Sequence, residues 1–476
     1  MVSLGLAALL PGLAGCGGGE KEPDEVILYA GTCAGCHGPT GQADGPASPF
    51  VYPRPRDFTR SPFKFGGTPQ EIARTITRGL PGTSMPPFGD LLSASEVASL
   101  AAHVSKLSPF SSPGGEIVAV PSGAGSAMAG KTLFADTCAK CHGPTGRGDG
   151  PSARTMTDQV GIPLRPIDLT SAPLKGGETG EDLYLRISRG IPGTPMPSYE
   201  GALTAQQTWD LVAYIQSLRP AHAATPPAGG IIVRRVTRLP EPTDPAGWRE
   251  APAATLGLRP LWQRPQWPPS LTVRAVHDGR TMRFLLEWPD ARPDRTVGRM
   301  EDFVDAVGLM LPAEGDMRPF IGMGRASAGE DRGATVRIWQ WRATQGIGPA
   351  SAYPRLVRDT NPLEALPQAR PASLAGNPLS GGPGRSPEVP AVVEYVAAGP
   401  GTLTVVPAAQ REGTGSGAWE DGRWRVMVDL ESRPDGTSRL GPGTRTLVAF
   451  AVWDGSAGDR NGQKTITAWV NLEVEE

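Results

Sequence analysis

Two copies of a Cys-x-x-Cys-His motif constrain this chain more than any other feature of its sequence. One copy runs from Cys33 to His37 and the other from Cys138 to His142, and each is followed by Gly-Pro-Thr-Gly. Two cysteines at this spacing can form thioether bonds to the vinyl groups of a haem, while the histidine ligates its iron. The motifs therefore predict two covalent c-type haems, and their matched flanks disfavour a zinc or purely structural role. The predicted thioether cysteines are Cys33, Cys36, Cys138 and Cys141, and the predicted iron ligands are His37 and His142.

The rest of the composition narrows the class of protein. The 476 residues are enough for about three domains, and 62 Gly with 51 Pro indicate many turns. Four of the five cysteines lie in the motifs, so none is left to pair in structural disulfides. The net charge is −2 and the sequence has no long run of basic residues, so it does not indicate binding to nucleic acid or to an anionic membrane surface.

The remaining cysteine, Cys16, follows a short apolar run at residues 4–13. This run is too short to span a bilayer and is placed like the core of a signal peptide. Leu13-Ala14-Gly15-Cys16 resembles a bacterial lipobox, which implies lipidation at Cys16 after a signal peptide at residues 1–16, with residues 17–25 as a tether. A plain signal peptide cut nearby is the alternative, since no Lys or Arg precedes Cys16. We expect export to the periplasm or outer cell face, with membrane attachment only by a lipid anchor.

The motif-bearing region is a duplication. The motifs superpose at an offset of 105 residues, and from Pro55 onward the offset becomes 111. A repeat of this length predicts duplicated domains at residues 26–110 and 126–220, joined by a linker at 111–125 and followed by a second at 221–230. Both repeats carry helix-start signals followed by apolar residues at helical spacing. These capping boxes run from Thr68 to Glu71, Ser93 to Glu96, Thr179 to Asp182 and Thr204 to Gln207.

Each repeat also holds one methionine in a Gly/Pro loop between its last two helices. The loops are Gly82-Thr83-Ser84-Met85-Pro86 and Gly193-Thr194-Pro195-Met196-Pro197. A thioether on a stiff loop suits a sixth iron ligand. In the motif, the methionine loop and the closing helix, the repeats resemble small all-α class I cytochrome c domains. This resemblance implies Met85 and Met196 as the distal iron ligands of the two c haems.

The third region, residues 231–476, changes from helical periodicity to alternation. Residues 271–276 and 282–288 flank the turn signal Asp278-Gly279, which predicts a hairpin. Apolar and other residues also alternate in four further segments, at 336–342, 424–430, 447–453 and 466–474. The pattern predicts an all-β sandwich with a long loop at residues 344–390 as a candidate contact surface. The residue pattern alone indicates neither a metal cluster nor a catalytic arrangement in this region.

Several segments of the third region resemble the haem-binding domain of ethylbenzene dehydrogenase γ subunits. They include Asp305 to Pro312, Pro319 to Gly324, Val336 to Trp341 and Phe450 to Gly455 with Lys464. The resemblance implies one non-covalent b haem whose iron is held by Met323 and Lys464. Lysine ligation requires a neutral, desolvated amine. A solvated lysine is the ordinary alternative at position 464, and Met300, Met310 and Met317 compete with Met323 as sulfur donors.

The resemblance also implies a role in electron transfer rather than catalysis within this chain. Such γ subunits serve periplasmic molybdopterin oxidoreductases, so the implied partners are a molybdopterin catalytic subunit, an iron–sulfur subunit and a downstream cytochrome or oxidase. One alternative is a dihaem carrier whose sandwich is a non-redox ligand- or carbohydrate-binding module, and another is a dihaem peroxidase. Chain order predicts that the second c haem lies nearer to the b haem.

Overall fold

The computed structural model describes residues 25–476 apart from several gaps. The gaps are residues 52, 61, 90, 112–121, 160, 162, 171–173, 220–229, 243, 245, 263, 265, 296–301, 314–320, 325–334, 344–391, 400–401 and 432–439. Cys16 and the proposed signal peptide lie outside the described residues, as does the predicted long loop at 344–390.

The described part of the duplicated region is helical, and its two repeats have the same order of elements. The first repeat contains α1 (Glu25–Thr32), α2 (Ala34–His37), α3 (Pro69–Arg78) and α4 (Ala94–Leu107). The second contains α5 (Ala127–Thr137), α6 (Ala139–His142), α7 (Gly180–Arg189) and α8 (Ala205–Ser217). Two small all-α units are therefore confirmed.

The four predicted capping boxes are all formed. In each, the hydroxyl of the N-cap residue accepts the third helical N–H, and the third side chain accepts the N-cap N–H. These bonds satisfy helix-end donors that would otherwise lack a partner. The amphipathic faces then pack into one core per repeat, around Leu100 in the first and Leu211 in the second, which are 0% and 1% exposed.

The third region is a large mixed β structure. Its strands are β1 (Ile231–Arg235), β2 (Ala254–Gly257), β3 (Arg259–Pro260), β4 (Ser270–His277), β5 (Thr281–Pro289), β6 (Ala306–Pro312), β7 (Val336–Arg342), β8 (Val392–Ala397), β9 (Thr404–Val405), β10 (Gly413–Glu420), β11 (Arg423–Glu431), β12 (Arg445–Trp453), β13 (Thr465–Ile466) and β14 (Val470–Val474). The main order of hydrogen-bonded neighbours is β10-β11-β5-β4-β1-β14-β12-β6-β7-β8-β9.

Strand β12 carries the chain from one layer of the sandwich to the other. Residues 445–448 pair with β14, whereas residues 449–453 pair with β6. One core lies between the layers and contains side chains from both, including Trp288, Trp341 and Trp424. The sandwich prediction is thus confirmed, with parallel pairing of β1 to β4 and β14 among otherwise antiparallel ladders.

The strand predictions hold except at the end of the chain. The hairpin is formed by β4 and β5, whose pairing runs from Thr272↔Glu287 to His277↔Met282. The predicted strand over 466–474 is instead two strands, because β13 pairs with the second half of β12 and β14 with its first half. Among the described residues, no helix combines the length and apolar character needed to cross a membrane.

Candidate haem centres

The first Cys-x-x-Cys-His motif forms a short helical turn directly after α1. The Cys33 N–H donates to the Tyr29 carbonyl at 2.8 Å, and the His37 N–H donates to the Cys33 carbonyl at 2.9 Å. Burial raises the pKa of both the Cys33 and the Cys36 thiol to about 11. The turn places two unpaired thiols and an imidazole on one short segment, as covalent haem attachment requires.

An aspartate side chain of the same repeat lies against the glycine that follows each motif. Gly38 has φ of +76°, and a Cβ there would lie 1.8 Å from Asp44 Oδ1. Gly143 has φ of +77°, and a Cβ there would lie 1.9 Å from Asp149 Oδ1. Both the backbone angle and the close approach exclude a side chain, so glycine is required at each of these two positions.

The histidine of the first motif is oriented by a backbone carbonyl. His37 Nδ1 lies 3.0 Å from the carbonyl oxygen of Arg56, so Nδ1 carries the proton and Nε2 is left for a metal. Burial lowers the pKa of His37 and favours the neutral, ligating form. Burial also lowers the pKa of His142, and the carbonyl of Ile167, at the matching place in the second repeat, opposes this effect only in part. His142 Nδ1 has no hydrogen bond of normal geometry.

The methionine loops have the same hydrogen bonds in both repeats. The Met85 N–H donates to Thr83 Oγ1 at 3.1 Å, and its carbonyl accepts the Leu80 N–H at 2.9 Å. In the second repeat the Met196 N–H donates to Thr194 Oγ1 at 3.3 Å, and its carbonyl accepts the Ile191 N–H at 3.2 Å. The duplicated loop therefore holds each methionine by its backbone.

The two methionines differ in their surroundings. Met85 packs on the same hydrophobic core as Cys33, together with the aromatic side chains of Phe58 and Phe63. The structure therefore brings the predicted ligand and the attachment site of the first repeat together. Met196 is half-buried at the equivalent place, on the loop that follows α7.

Two ion pairs related by the repeat join the cytochrome-like units. Arg189 Nη1 lies 2.6 Å from Glu71 Oε1, and Arg78 Nη1 lies 3.2 Å from Asp182 Oδ2. The guanidinium of Arg186 also lies 4.8 Å from the centroid of the Phe65 ring. These contacts border a cavity of about 220 Å³ that both repeats line.

Basic side chains crowd the same interface. Burial, followed by the charge of Lys64, lowers the pKa of Lys175 to about 8, and burial with the charge of Arg56 lowers that of Lys64. Such repulsion is relieved by an anionic group. Every haem carries two propionates, so a partly buried basic interface is compatible in charge with the predicted groups.

The predicted b-haem ligand Met323 lies beside the outer face of the layer formed by β6 and β12. It packs with Met310 and Ala449 in a cluster that also holds Ile321. Met323 has φ of +80°, a conformation that costs a non-glycine residue roughly 1 to 3 kcal/mol. Its carbonyl accepts the Gly399 N–H at 2.8 Å, which helps to hold this backbone in place.

Lys464 borders the same outer face from another side. Its Nζ lies 4.8 Å from the ring centroid of Trp453, while its carbonyl accepts the Leu261 N–H at 2.8 Å. Side chains alternate along a strand, so Ala449, Ala451 and Trp453 share the face opposite to the core-facing residues of β12. Two of these residues, Ala449 and Ala451, have small side chains. A flat haem macrocycle fits over a surface of small side chains better than over bulky ones.

The loop that carries Met323 contacts the first cytochrome-like unit. Ile321 packs against the core cluster that contains Met85 and also against the cluster that contains Met323. The expectation drawn from chain order, that the second c haem lies nearer to the b haem, stays a prediction, whereas this contact joins the loop of Met323 to the first unit. Chain order does not reveal this contact, because the whole second unit lies between the first unit and Ile321 in the sequence.

Comparison with known families assigns the three regions. Residues 26–104 match the model of the cbb3-type cytochrome c oxidase subunit III, residues 127–219 match the Cytochrome c model, and residues 248–366 match the Ethylbenzene dehydrogenase model. The chain therefore contains two regions that match cytochrome c families, followed by a region that matches the ethylbenzene dehydrogenase family. This combination supports a multihaem electron-transfer role.

Individual relatives cover different parts of the chain. A Haloferax mediterranei protein named as a respiratory nitrate reductase heme subunit is 26% identical over 274 residues, 55% of this chain and 79% of that protein. The oxidase subunit CcoP of Rubrivivax gelatinosus is 35% identical over 205 residues, 42% of this chain, and the chain spans 56% of that relative's length.

One solved structure, the Kuenenia stuttgartiensis reducing HAO-like protein complex, is 35% identical and has a TM-score of 0.39. It covers 42% of this chain and 98% of its own.

Proposed function

We propose that this protein passes electrons between a periplasmic molybdopterin oxidoreductase and a downstream carrier through two c haems and one b haem. The observation that carries the proposal is the position of Ile321, which joins the core beside Met85 to the cluster beside Met323. This contact supports the proposal because the two clusters that share Ile321 also include a candidate ligand of the first c haem and a candidate ligand of the b haem. Catalysis would belong to a partner chain.

The contacts support an order of electron transfer that differs from chain order. The first cytochrome domain contacts the second through the Arg189–Glu71 and Arg78–Asp182 pairs, and it contacts the sandwich through Ile321. The first domain therefore contacts both of the other regions. Electrons would pass between the second domain and the sandwich by way of the first.

When bound, the haems supply one-electron carriers, and the protein sets their potentials through axial ligands and burial. The Arg56 carbonyl orients the His37 imidazole, and the threonine-braced loops present Met85 and Met196. In the sandwich, Met323 and Lys464 would hold the b-haem iron. Nothing in this arrangement requires a substrate to bind to the chain.

Lys464 has a further argument in its favour. It is the only lysine after Lys175, in a stretch that otherwise uses arginine for positive charge. Arginine stays protonated and has no lone pair to offer, whereas a desolvated lysine can become a neutral amine ligand. A lysine at this one place, on the face shared with Met323, fits a ligand better than a general surface charge.

The nitrate reductase heme subunit among the relatives supports a respiratory molybdoenzyme as the partner, reached through its iron–sulfur subunit. The oxidase subunits among the relatives support a cytochrome or oxidase as the downstream carrier. Export follows from c-type haem attachment, with a lipid at Cys16 as the membrane anchor.

The haem content of the purified protein tests the proposal. Pyridine haemochrome analysis should give two c haems and one b haem per chain, and co-purified partners should contain molybdenum. The variant Lys464→Arg keeps the charge but cannot ligate, so it should lose the b-haem signal and keep both c haems. Arg460→Lys, on the same loop, is the matched control. Two c haems with no b haem in the wild type would instead favour a dihaem carrier with a binding module.

A further inference from the structure

Three aspartates from separate parts of the sandwich meet at one end of it. Asp290 follows the last residue of β5, Asp305 precedes the first residue of β6, and Asp454 follows the last residue of β12. The register Ala306↔Trp453 brings the β6 and β12 ends together, and one oxygen from each of the three carboxylates lies within 4.8 Å of the others. Residue alternation could not reveal this cluster, since its members are up to 164 residues apart in the chain.

Two of the three aspartates are buried, and one oxygen of Asp290 accepts no hydrogen bond. Asp305 is 0% exposed and Asp290 is 8% exposed. Asp290 Oδ2 is buried without a hydrogen bond, while its Oδ1 accepts the Arg292 N–H at 3.1 Å. A buried, unsatisfied carboxylate oxygen is costly and therefore calls for a partner.

Backbone and indole donors hold the other two carboxylates in place. Asp305 Oδ1 accepts the Gly455 N–H at 2.8 Å, and its Oδ2 accepts the Trp424 indole N–H at 2.9 Å. The bonds to Asp454 from Ser456 Oγ and the Ala457 N–H both fall on Oδ1. The arrangement is fixed before any ligand arrives.

Two nearby arginines pair with other aspartates. Arg292 pairs with Asp294 at 3.2 Å, and Arg264 pairs with Asp459 at 2.6 Å. Within the described residues, no Arg or Lys forms an ion pair with Asp290, Asp305 or Asp454. Burial, with the charges of neighbouring carboxylates, raises the pKa of Asp290 to about 6 and that of Asp305 to about 7.

We propose that Asp290, Asp305 and Asp454 bind one Ca²⁺ ion that ties the end of β5 to the ends of β6 and β12. All three groups offer oxygen, which hard divalent cations prefer. Two oxygens that each lie about 2.4 Å from one Ca²⁺ can be up to about 4.8 Å apart, so the separation of the carboxylates allows this ion. Mg²⁺ suits a buried site less, because it gives up its water ligands reluctantly. The site is structural, and it stands independently of the proposed electron-transfer function.

Calcium content and thermal stability of the full-length holoprotein test the site. After treatment with a chelator and desalting, CaCl₂ should bind at one ion per chain in calorimetry and elemental analysis. At about 100 times Kd it should raise the Tm of the sandwich by roughly 5 to 10 °C. Asp290→Asn should abolish both effects.

The chain offers a closely matched control in Asp278. Both Asp278 and Asp290 are followed two residues later by an arginine whose N–H donates to their Oδ1. Asp278 lies at the opposite end of β5, so Asp278→Asn should keep the calcium response. If Asp290→Asn does not fold, Asp454→Asn provides a more exposed variant that should bind calcium at least tenfold more weakly.

Three outcomes would overturn the assignment. One is a wild type that neither binds calcium nor gains stability from it, since the carboxylates would then share a proton instead. The second is unchanged calcium binding in Asp290→Asn and Asp454→Asn. The third is equal binding and stabilisation by MgCl₂, which would assign the site to a smaller ion.

Discussion

Arg189 Nη1 lies 2.6 Å from Glu71 Oε1, and the equivalent pair runs the other way, from Arg78 to Asp182. Asp182 stands 111 residues after Glu71, and Arg189 stands 111 residues after Arg78. The two domains are therefore joined by one contact used twice, as an approximate two-fold axis produces. Duplication created this interface, because each domain inherited both the acid and the base.

The Glu71–Arg189 pair should contribute more to stability than its counterpart. The side chain of Glu71 is 5% exposed and that of Arg189 is 29%, whereas Arg78 is 51% exposed. Glu71→Gln can still cap α3 but loses the charge, so we expect a loss of about 1–2 kcal/mol, discounted for the exposure of Arg189. Chemical denaturation followed by haem absorbance measures this.

Arg78→Ala is the internal comparison for that experiment. Its exposed guanidinium should contribute less than about 1 kcal/mol. A double-mutant cycle between Glu71→Gln and Arg189→Gln should give most of the Glu71 loss as coupling energy. A coupling near zero would show that the domains are held together by other contacts.

Replacement of Met85 should change one c haem alone. Met85→Ala removes the proposed thioether ligand, so the first c haem should gain a high-spin signal. Its reduction potential should fall by on the order of 100 mV, within the ~0.8 V range that axial ligands span. Met128, at the start of α5 and 77% exposed, is the control, and Met128→Ala should leave spectrum and potential unchanged. An unchanged spectrum in Met85→Ala would exclude Met85 as a ligand.

The contact at Ile321 should control electron transfer without controlling haem content. Ile321→Asp places a charge between the Met85 core and the Met323 cluster, which should separate the first domain from the sandwich. Transfer between the b haem and the c haems, followed by transient absorption, should slow at least ~10-fold, or about 1.4 kcal/mol of barrier. Val405→Asp, at a 44% exposed position of the same layer, should not slow it. Normal rates in Ile321→Asp would refute the proposed order.

Local signals predicted much of the fold, and long-range contacts set the rest. The capping boxes at Thr68 and Ser93 and the turn at Asp278 depend on residues a few positions apart, so the sequence contained their whole cause. The split of 466–474 into two strands depends on the pairing of β12 with different neighbours along its length.

The site residues divide in the same way. The two Cys-x-x-Cys-His motifs can be recognised in the sequence because their cysteines and histidine adjoin in the chain. The carbonyl of Arg56 that orients His37, and the contact of Ile321 with the first domain, join positions 19 or more residues apart that no local pattern connects. The three aspartates of the cluster are likewise far apart in the chain, so no local pattern connects them.

The aspartate cluster should give the sandwich an unusual dependence on pH when calcium is removed. Burial and the neighbouring carboxylates, including Asp294 and Asp454, hold the pKa of Asp290 near 6 and of Asp305 near 7, above the unfolded value of 3.8. The folded state thus binds protons more tightly, so stability from these groups is fullest below about pH 4 and is lost as pH rises to about 7. Denaturation of the chelated protein from pH 4 to 8 should show this loss, and Asp290→Asn should reduce it. Saturating CaCl₂ should reverse the slope, because the ion binds the deprotonated carboxylates, and an identical slope with and without calcium would contradict this account.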